Sequence, residues 1–488
     1  MPKKKLKILF AAAEVVPFAK TGGLADVAGA LPKAIKELGH EIIVVMPRYY
    51  KIDKSKLQKL EAPLGVPMGV MGEFWAAVYT TTLPQSDVAI YFIDYEEYFG
   101  RSGLYEDEND GYHDNDNRFI FFSKAALQLC KMLKFTPDII HANDWHTAAM
   151  PLLSRTRFIH DFAFSASVLT IHNLQHQGNF YKGVMDVMEV GWEHFNPHEF
   201  ESFDRVNLLK GAIQQADAVT TVSKKYAEEI QTEEFSFGLD RHIQAHGDKL
   251  FGILNGVDYN EWNPSLDNFL AKKYDFDDMS GKLICKRDIQ KHFNLELRYD
   301  VPLIGFVGRF AEQKGIELIA GVIHGLLDLD VQIIMLGTGE KWAESFFSDV
   351  AYHRTNFGLH VGYSDALAHK IEAGCDMFLM PSIFEPCGLN QIYSLRYGTL
   401  PIVRAAGGLD DTIVNFDEKH EHGNGFKFYE ASQEALYYTV LWAVNIYYHD
   451  KKSFENMQIS AMKEHFSWAD SAKGYEAVYQ YALSKKRI

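Results

Sequence analysis

Cysteine is scarce. The four residues, Cys130, Cys285, Cys375 and Cys387, include no C-x-x-C pair. That argues against a disulfide framework and predicts reduced thiols in a cytoplasmic protein. Positive charge is not in excess: 49 Lys and Arg stand against 65 Asp and Glu, a formal net charge of −16. A dedicated nucleic-acid binder is therefore not expected, although a local basic cluster can still grip a small anionic ligand. No apolar run approaches the length of a membrane span, and no signal-peptide cleavage pattern follows the basic start MPKKKLK. Low-complexity linkers and short repeats are missing too. Neither G-x-G-x-x-G nor G-x-x-x-x-G-K-[ST] marks the first turn, so the standard nucleotide fingerprints do not apply.

What is present is alternation. At 488 residues and 47% hydrophobic content the chain is long enough for two sizeable α/β domains. LKILFAAAEV reads as a buried strand and EIIVVMP as another. Between them Leu24, Val27, Ala28, Leu31, Ile35 and Leu38 recur at helical spacing, with Gly39 as a stop. This is a βαβ unit, in which Pro32 is expected to kink or interrupt the helix. SDVAIYFID, PDIIHAND, SASVLTIHN and ADAVTTVS continue the strands, RFIFFSKAALQLCKML and KKYAEEIQ the helices, and RSGLYEDENDGYHDND reads as a long surface loop. After the turn signals Asn255-Gly256 and Asn263-Pro264 a second series begins at VPLIGFVGRF. It runs through GIELIAGVIHGLL, VQIIMLG, HVGY, SDALAHKIEAG, DMFLMPS, LNQIYSLRYG and TLPIVRA. Two parallel sheets covered by helices follow, meeting near residue 260, with a cleft expected between their strand ends.

Chemistry-bearing residues fall where strands end. Lys20 with Gly22 and Gly23 sits in the first βα turn, where glycines either make a tight turn or admit a ligand. Arg309 and Lys314 follow a strand of the second series, an arrangement able to grip phosphate. Glu385, in PSIFEPCGLNQ, either caps the next helix or accepts hydrogen bonds from a polyol, with Cys387, Gly388 and Leu389 presenting backbone N–H groups. AAGGLDDT repeats the strand–glycine–helix logic as a ready anion site. In HANDWH, the His141, Asp144 and His146 spacing allows metal ligands, but a local hydrogen-bond network is the expectation and no metal site is assigned. His172 and Asn173 stand at another strand end.

KTGGLADV, HANDWHT, TIHN, TVSKKYAEEI, GILNGVDYNEWNP, GRFAEQKG, PSIFEPCGLNQ and GGLDDT occur in that order, from residue 20 to residue 412. Together they strongly resemble the bacterial glycogen synthase and plant starch synthase family. The resemblance implies an α/β GT-B fold, two Rossmann-like doubly wound domains facing a deep interdomain cleft. The domains are expected at 1–258 and 259–465, with a C-terminal helix, 466–488, returning to the first. It further implies retaining transfer of glucose from a nucleotide diphosphate sugar, usually ADP-glucose with UDP-glucose as the alternative, to the non-reducing 4-hydroxyl of an α-1,4-glucan; a non-catalytic glucan-binding or sensor protein on the same fold is the other reading. By resemblance Arg309 and Lys314 hold the pyrophosphate and Glu385 the glucose hydroxyls. Lys20, Gly22 and Gly23 complete the phosphate environment, Gly408 and Leu409 offer N–H groups, and His172 and Asp144 contact the sugar. No cofactor is implied. The pattern departs from the family at Asn143, where histidine is frequent, at Ile383 for arginine and at Ala406 for threonine.

Overall fold

A computed structural model describes residues 4–107 and 111–486. The start of MPKKKLK and part of the RSGLYEDENDGYHDND loop lie outside them. The chain divides into two units, 1–256 with 468–488, and 257–467. The crossings lie side by side, because Val257 bridges Ser467 and its N–H donates to the Phe466 carbonyl at 2.9 Å.

In the first unit the aliphatic runs pair as one sheet. Across it the strands stand in the order Leu250–Gly252, Ala218–Thr221, Ala166–Ile171, Ile139–Asn143, Lys7–Ala11, Glu41–Pro47, Ala89–Asp94, Glu73–Thr82 and Gln58–Lys59. All pairings from Leu250–Gly252 through Ala89–Asp94 are parallel. Glu73–Thr82 adds an antiparallel edge that the βα periodicity did not announce. From Lys7–Ala11 the chain builds outward on one side, then returns to build on the other. The order therefore reverses between Lys7–Ala11 and Ile139–Asn143, and ligands of open α/β sheets bind beyond the strand ends at such a point. The helix Gly23–Glu37 contains Pro32 without ending there. The expected interruption does not occur: Leu24, Val27, Ala28, Leu31 and Ile35 are all buried, and that packing outweighs one lost hydrogen bond. The terminal helix Trp468–Lys486 packs on this unit, where Tyr479 meets His141 and Glu476 meets His40.

The second unit has a six-stranded, wholly parallel sheet. Its order is Phe357–Val361, Gln332–Gly337, Leu303–Val307, Met377–Met380, Leu400–Arg404 and Phe426–Phe428. Numbered along the chain this is 3-2-1-4-5-6, the dinucleotide-fold order, with its reversal between Leu303–Val307 and Met377–Met380. Arg309 and Lys314 follow the first of those strands, and Glu385 follows the second. Among the described residues no helix is long and apolar enough to cross a membrane.

Candidate active site

In the second unit two loops at the reversal are stitched together. The Ile383 N–H donates to the Gln313 carbonyl at 2.9 Å, and Lys314 Nζ donates to Glu385 Oε2 at 2.5 Å. Ser382 Oγ donates to the same carboxylate oxygen at 2.9 Å. The approach needs Gly315: its φ is +68°, and a Cβ there would stand 2.1 Å from the Pro381 carbonyl oxygen. Glu385 is buried and Lys314 half-buried, whereas Arg309 is exposed and donates to Gln313 Oε1 at 2.9 Å. The sequence placed these three residues in one region; their direct ion pair was not legible from spacing.

The glycines of AAGGLDDT serve a different end from the one read in the sequence. The Gly408 N–H donates to the Glu385 carbonyl at 3.0 Å, and the Leu409 N–H to the Ala406 carbonyl at 3.0 Å. Both expected donors are thus already engaged inside the protein. A Cβ at Gly407 would meet the Glu385 oxygen at 2.0 Å, and one at Gly408 the Cys387 oxygen at 1.9 Å. Bare backbone lets the Glu385–Cys387 segment pass close over the start of the helix Gly407–Thr412. Ala406, at its N-cap, supplies no capping side chain. By contrast, the Gly388 and Leu389 N–H groups have no acceptor among the described residues.

In the first unit the loop after Lys7–Ala11 is organised by Glu14, a residue that sequence reasoning passed over inside an apolar run. Glu14 Oε2 accepts from the N–H of Thr21 and, at 3.2 Å, of Gly22. Its Oε1 accepts from the Thr21 hydroxyl at 2.6 Å and the Tyr105 hydroxyl at 2.7 Å. Gly22 itself is extended, with φ −150°, a conformation open to any residue. A Cβ at Gly22 or Gly23 would meet nothing within 4 Å, so a tight turn does not account for either glycine. The N–H groups of Gly23 and Leu24, opening the helix, have no acceptor among the described residues. Lys20 Nζ pairs with Asp26 Oδ1 at 2.7 Å and is about half exposed.

Across the reversal, Asp144 follows Ile139–Asn143 with φ +54°. Its carboxylate accepts the His172 N–H at 2.7 Å. Burial pushes its pKa up to about 7, against the lowering effect of the His172 and Asn173 N–H groups. His172 is buried and held down to about 3 by burial, hence neutral. Asn143 fixes its tautomer: Nδ2 donates to the Ala11 carbonyl at 3.0 Å, so Oδ1 faces His172 Nε2 at 2.9 Å and that nitrogen carries the proton. Nδ1 is left as an acceptor. The departure at Asn143 therefore has a structural use. His141 and His146 do not join Asp144 as a ligand set. His141 bonds Tyr479 and Thr170 through its two nitrogens, at 2.8 and 2.6 Å, and the His146 ring stacks on Tyr105.

Two doubly wound units, each on a mainly parallel sheet with cations and carboxylates gathered where its strand order reverses, are the architecture of the GT-B class of glycosyltransferases. Residues 7–245 match the family model for the starch synthase catalytic domain, and residues 288–460 that for glycosyl transferases group 1. The chain is 52% identical to glycogen synthase 1 of Geobacter metallireducens over 99% of its own length and 97% of that protein's. It is 42% identical to the glycogen synthase of Treponema denticola, over 99% of each. The solved catalytic domain of starch synthase IV from Arabidopsis thaliana, bound to ADP and acarbose, matches with a TM-score of 0.91 at 32% identity, over 99% of this chain and 100% of that one. The chain belongs to the glycogen synthase and starch synthase family.

Proposed function

We propose that this glucosyltransferase uses ADP-glucose and extends the non-reducing 4-hydroxyl of an α-1,4-glucan, with retention. The observation that carries the reading is the Lys314–Glu385 pair at the strand-order reversal, with Arg309 beside it. The donor is supported by the ADP in the starch synthase IV structure and the glucan by its acarbose.

In the second unit Arg309 and Lys314 take the pyrophosphate. Negative charge grows there as the glycosidic bond breaks, so fixed cations help most in the transition state. Glu385, oriented by Ser382, accepts hydrogen bonds from glucose hydroxyls, and the Gly388 and Leu389 N–H groups donate in the same place. In the first unit the N–H groups of Gly23 and Leu24, with Lys20 on the same loop, form an anion site, and Gly22 leaves the approach bare. Neutral His172 accepts a sugar hydroxyl at Nδ1. Asp144, by binding the His172 N–H, positions that ring. The departing phosphate takes the acceptor's proton on the face it leaves, so no protein nucleophile is needed. Arginine and lysine neutralise the pyrophosphate, so we assign no cofactor to the transfer step. We place the reaction in the cytoplasm, in keeping with four cysteines that form no disulfide.

The test is incubation with glycogen and either ADP-glucose or UDP-glucose, following nucleotide release and glucan growth together. Both signals should rise with ADP-glucose. A preference for UDP-glucose would overturn the donor assignment. Release without growth would mean hydrolysis, and neither signal would reduce the protein to a glucan binder.

A further inference from the structure

We infer that Glu261, Asp365 and His369 form a binding site for a first-row divalent transition cation of the zinc or manganese class. It lies in the second unit and uses none of the residues assigned to the donor. Each of the three residues offers a ligand atom within 4.8 Å of the other two. Asp365 opens the helix Asp365–Gly374 and His369 follows four residues later, so both point from one helix face. Glu261 comes from the segment just after the first crossing.

The histidine makes this more than an acidic cluster. His369 is 1% exposed, and its Nε2 is buried without a hydrogen-bond partner. The other nitrogen, Nδ1, meets Asp267 Oδ2 at 2.7 Å. That carboxylate is saturated with donors: the Tyr397 hydroxyl gives to Oδ2 at 2.6 Å and the Phe269 N–H to Oδ1 at 2.8 Å. Asp267 is thus an acceptor and Nδ1 donates to it. The ring is fixed by stacking on Trp262, with centroids 3.8 Å apart and planes 11° apart. The His369 ring and two carboxylates lie close together, and the protein gives Nε2 no hydrogen-bond partner. With Nδ1 committed to Asp267, Nε2 is the nitrogen open to a cation.

A carboxylate–histidine–metal relay also leaves the ligand nitrogen fixed and basic. Imidazole with carboxylates suits zinc or manganese better than magnesium or calcium. Ligand atoms around such ions stand roughly 3 Å apart, closer than the 4.8 Å limit here. The two carboxylates, both on exposed residues, supply the movement, while the buried ring stays still. Asp365 already receives a long hydrogen bond from the Tyr363 hydroxyl, at 3.4 Å, which metal binding must loosen. Bound metal would tie the post-crossing segment to the helix Asp365–Gly374.

Calorimetric titration of the chelator-treated full chain with zinc chloride and manganese chloride tests the site, beside the Glu261→Gln/Asp365→Asn variant, whose changes are at the surface. The wild type is expected to bind one more equivalent than the variant, at micromolar affinity, with that site at least tenfold weaker in the variant. Melting temperature should rise with metal in the wild type and not in the variant. His369→Gln, if it folds, should lose the same equivalent. Equal stoichiometry in wild type and the double variant, or no binding of either metal at millimolar concentration, would overturn the assignment.

Discussion

Replacing Lys314 with methionine separates two things one side chain does. Glu385 is 7% exposed and holds two donors, Lys314 Nζ at 2.5 Å and Ser382 Oγ at 2.9 Å. Without the lysine it keeps only the serine. Breaking a fully buried ion pair costs about 3–5 kcal/mol. Lys314 is 23% exposed, so water reaches the site, and we expect a loss of about 1–2 kcal/mol. A cation aimed at a leaving phosphate contributes about 3–4 kcal/mol in the transition state, a factor of about 10²–10³ in kcat/KM. The two effects part company in Lys314→Met/Glu385→Gln, where no carboxylate remains to neutralise. Urea denaturation should show most of the stability returning in that double variant. Glu385→Gln alone sets the loss that belongs to the glucose contact; nucleotide release in the double variant should fall at least a further hundredfold below it, because the phosphate still lacks its cation. If the double variant comes within about threefold of Glu385→Gln, Lys314 serves Glu385 alone and the phosphate assignment fails.

Arg309→Ala removes an exposed side chain bonded to Gln313, so stability should move by less than about 0.5 kcal/mol while kcat/KM falls by about a hundredfold; unchanged kinetics would remove Arg309 from the site. Asp144 titrates near 7 when folded, against about 3.9 unfolded, so the native state keeps its proton longer. Its stabilising contribution is complete below about pH 4 and is lost as pH rises through 7, by up to about 4 kcal/mol; Asp144→Asn should flatten that slope in denaturant titrations at several pH values, and parallel profiles would contradict the burial argument. Glu14→Gln weakens bonds to a charged acceptor, each contributing about 1.5–3 kcal/mol, so the Thr21 and Gly22 amides should exchange at least tenfold faster by hydrogen–deuterium exchange; unaltered protection would show that Glu14 does not hold the loop. Exhaustive chelation should leave the transfer rate intact, since Arg309 and Lys314 carry the phosphate charge; strict dependence on added magnesium would refute this.

Much of the architecture was written into local pattern. Short apolar runs predicted the parallel strands, the 3.6-residue spacing predicted helices such as Gly23–Glu37, and the turn signals Asn255-Gly256 and Asn263-Pro264 bracket the first crossing, which falls after Gly256 rather than at the expected 258. These signals are local because hydrophobic periodicity reports which face of an element is buried. Motif order along the chain gave the family. The sequence also singled out Arg309, Lys314, Glu385 and His172 as candidates, since strand ends and turns are where an α/β sheet presents side chains. Other facts rest on residues distant in the chain. Pro32 reads as a helix breaker until the buried face around it is counted. Glu14 looks like an interruption in a strand until Thr21, Gly22 and Tyr105 converge on it. Gly407 and Gly408 signal an anion site until the carbonyls of Glu385 and Cys387 occupy the space beside them. The proton on His172 Nε2 depends on Asn143, and Asn143 on Ala11. Likewise the setting of the His369 ring depends on Asp267, which lies 102 positions earlier. Composition and spacing specify which groups a chain carries and which elements they ride on. Which atom keeps a hydrogen, and which carboxylate keeps its charge, is decided by burial and by partners that only the folded sheet order brings within 3 Å.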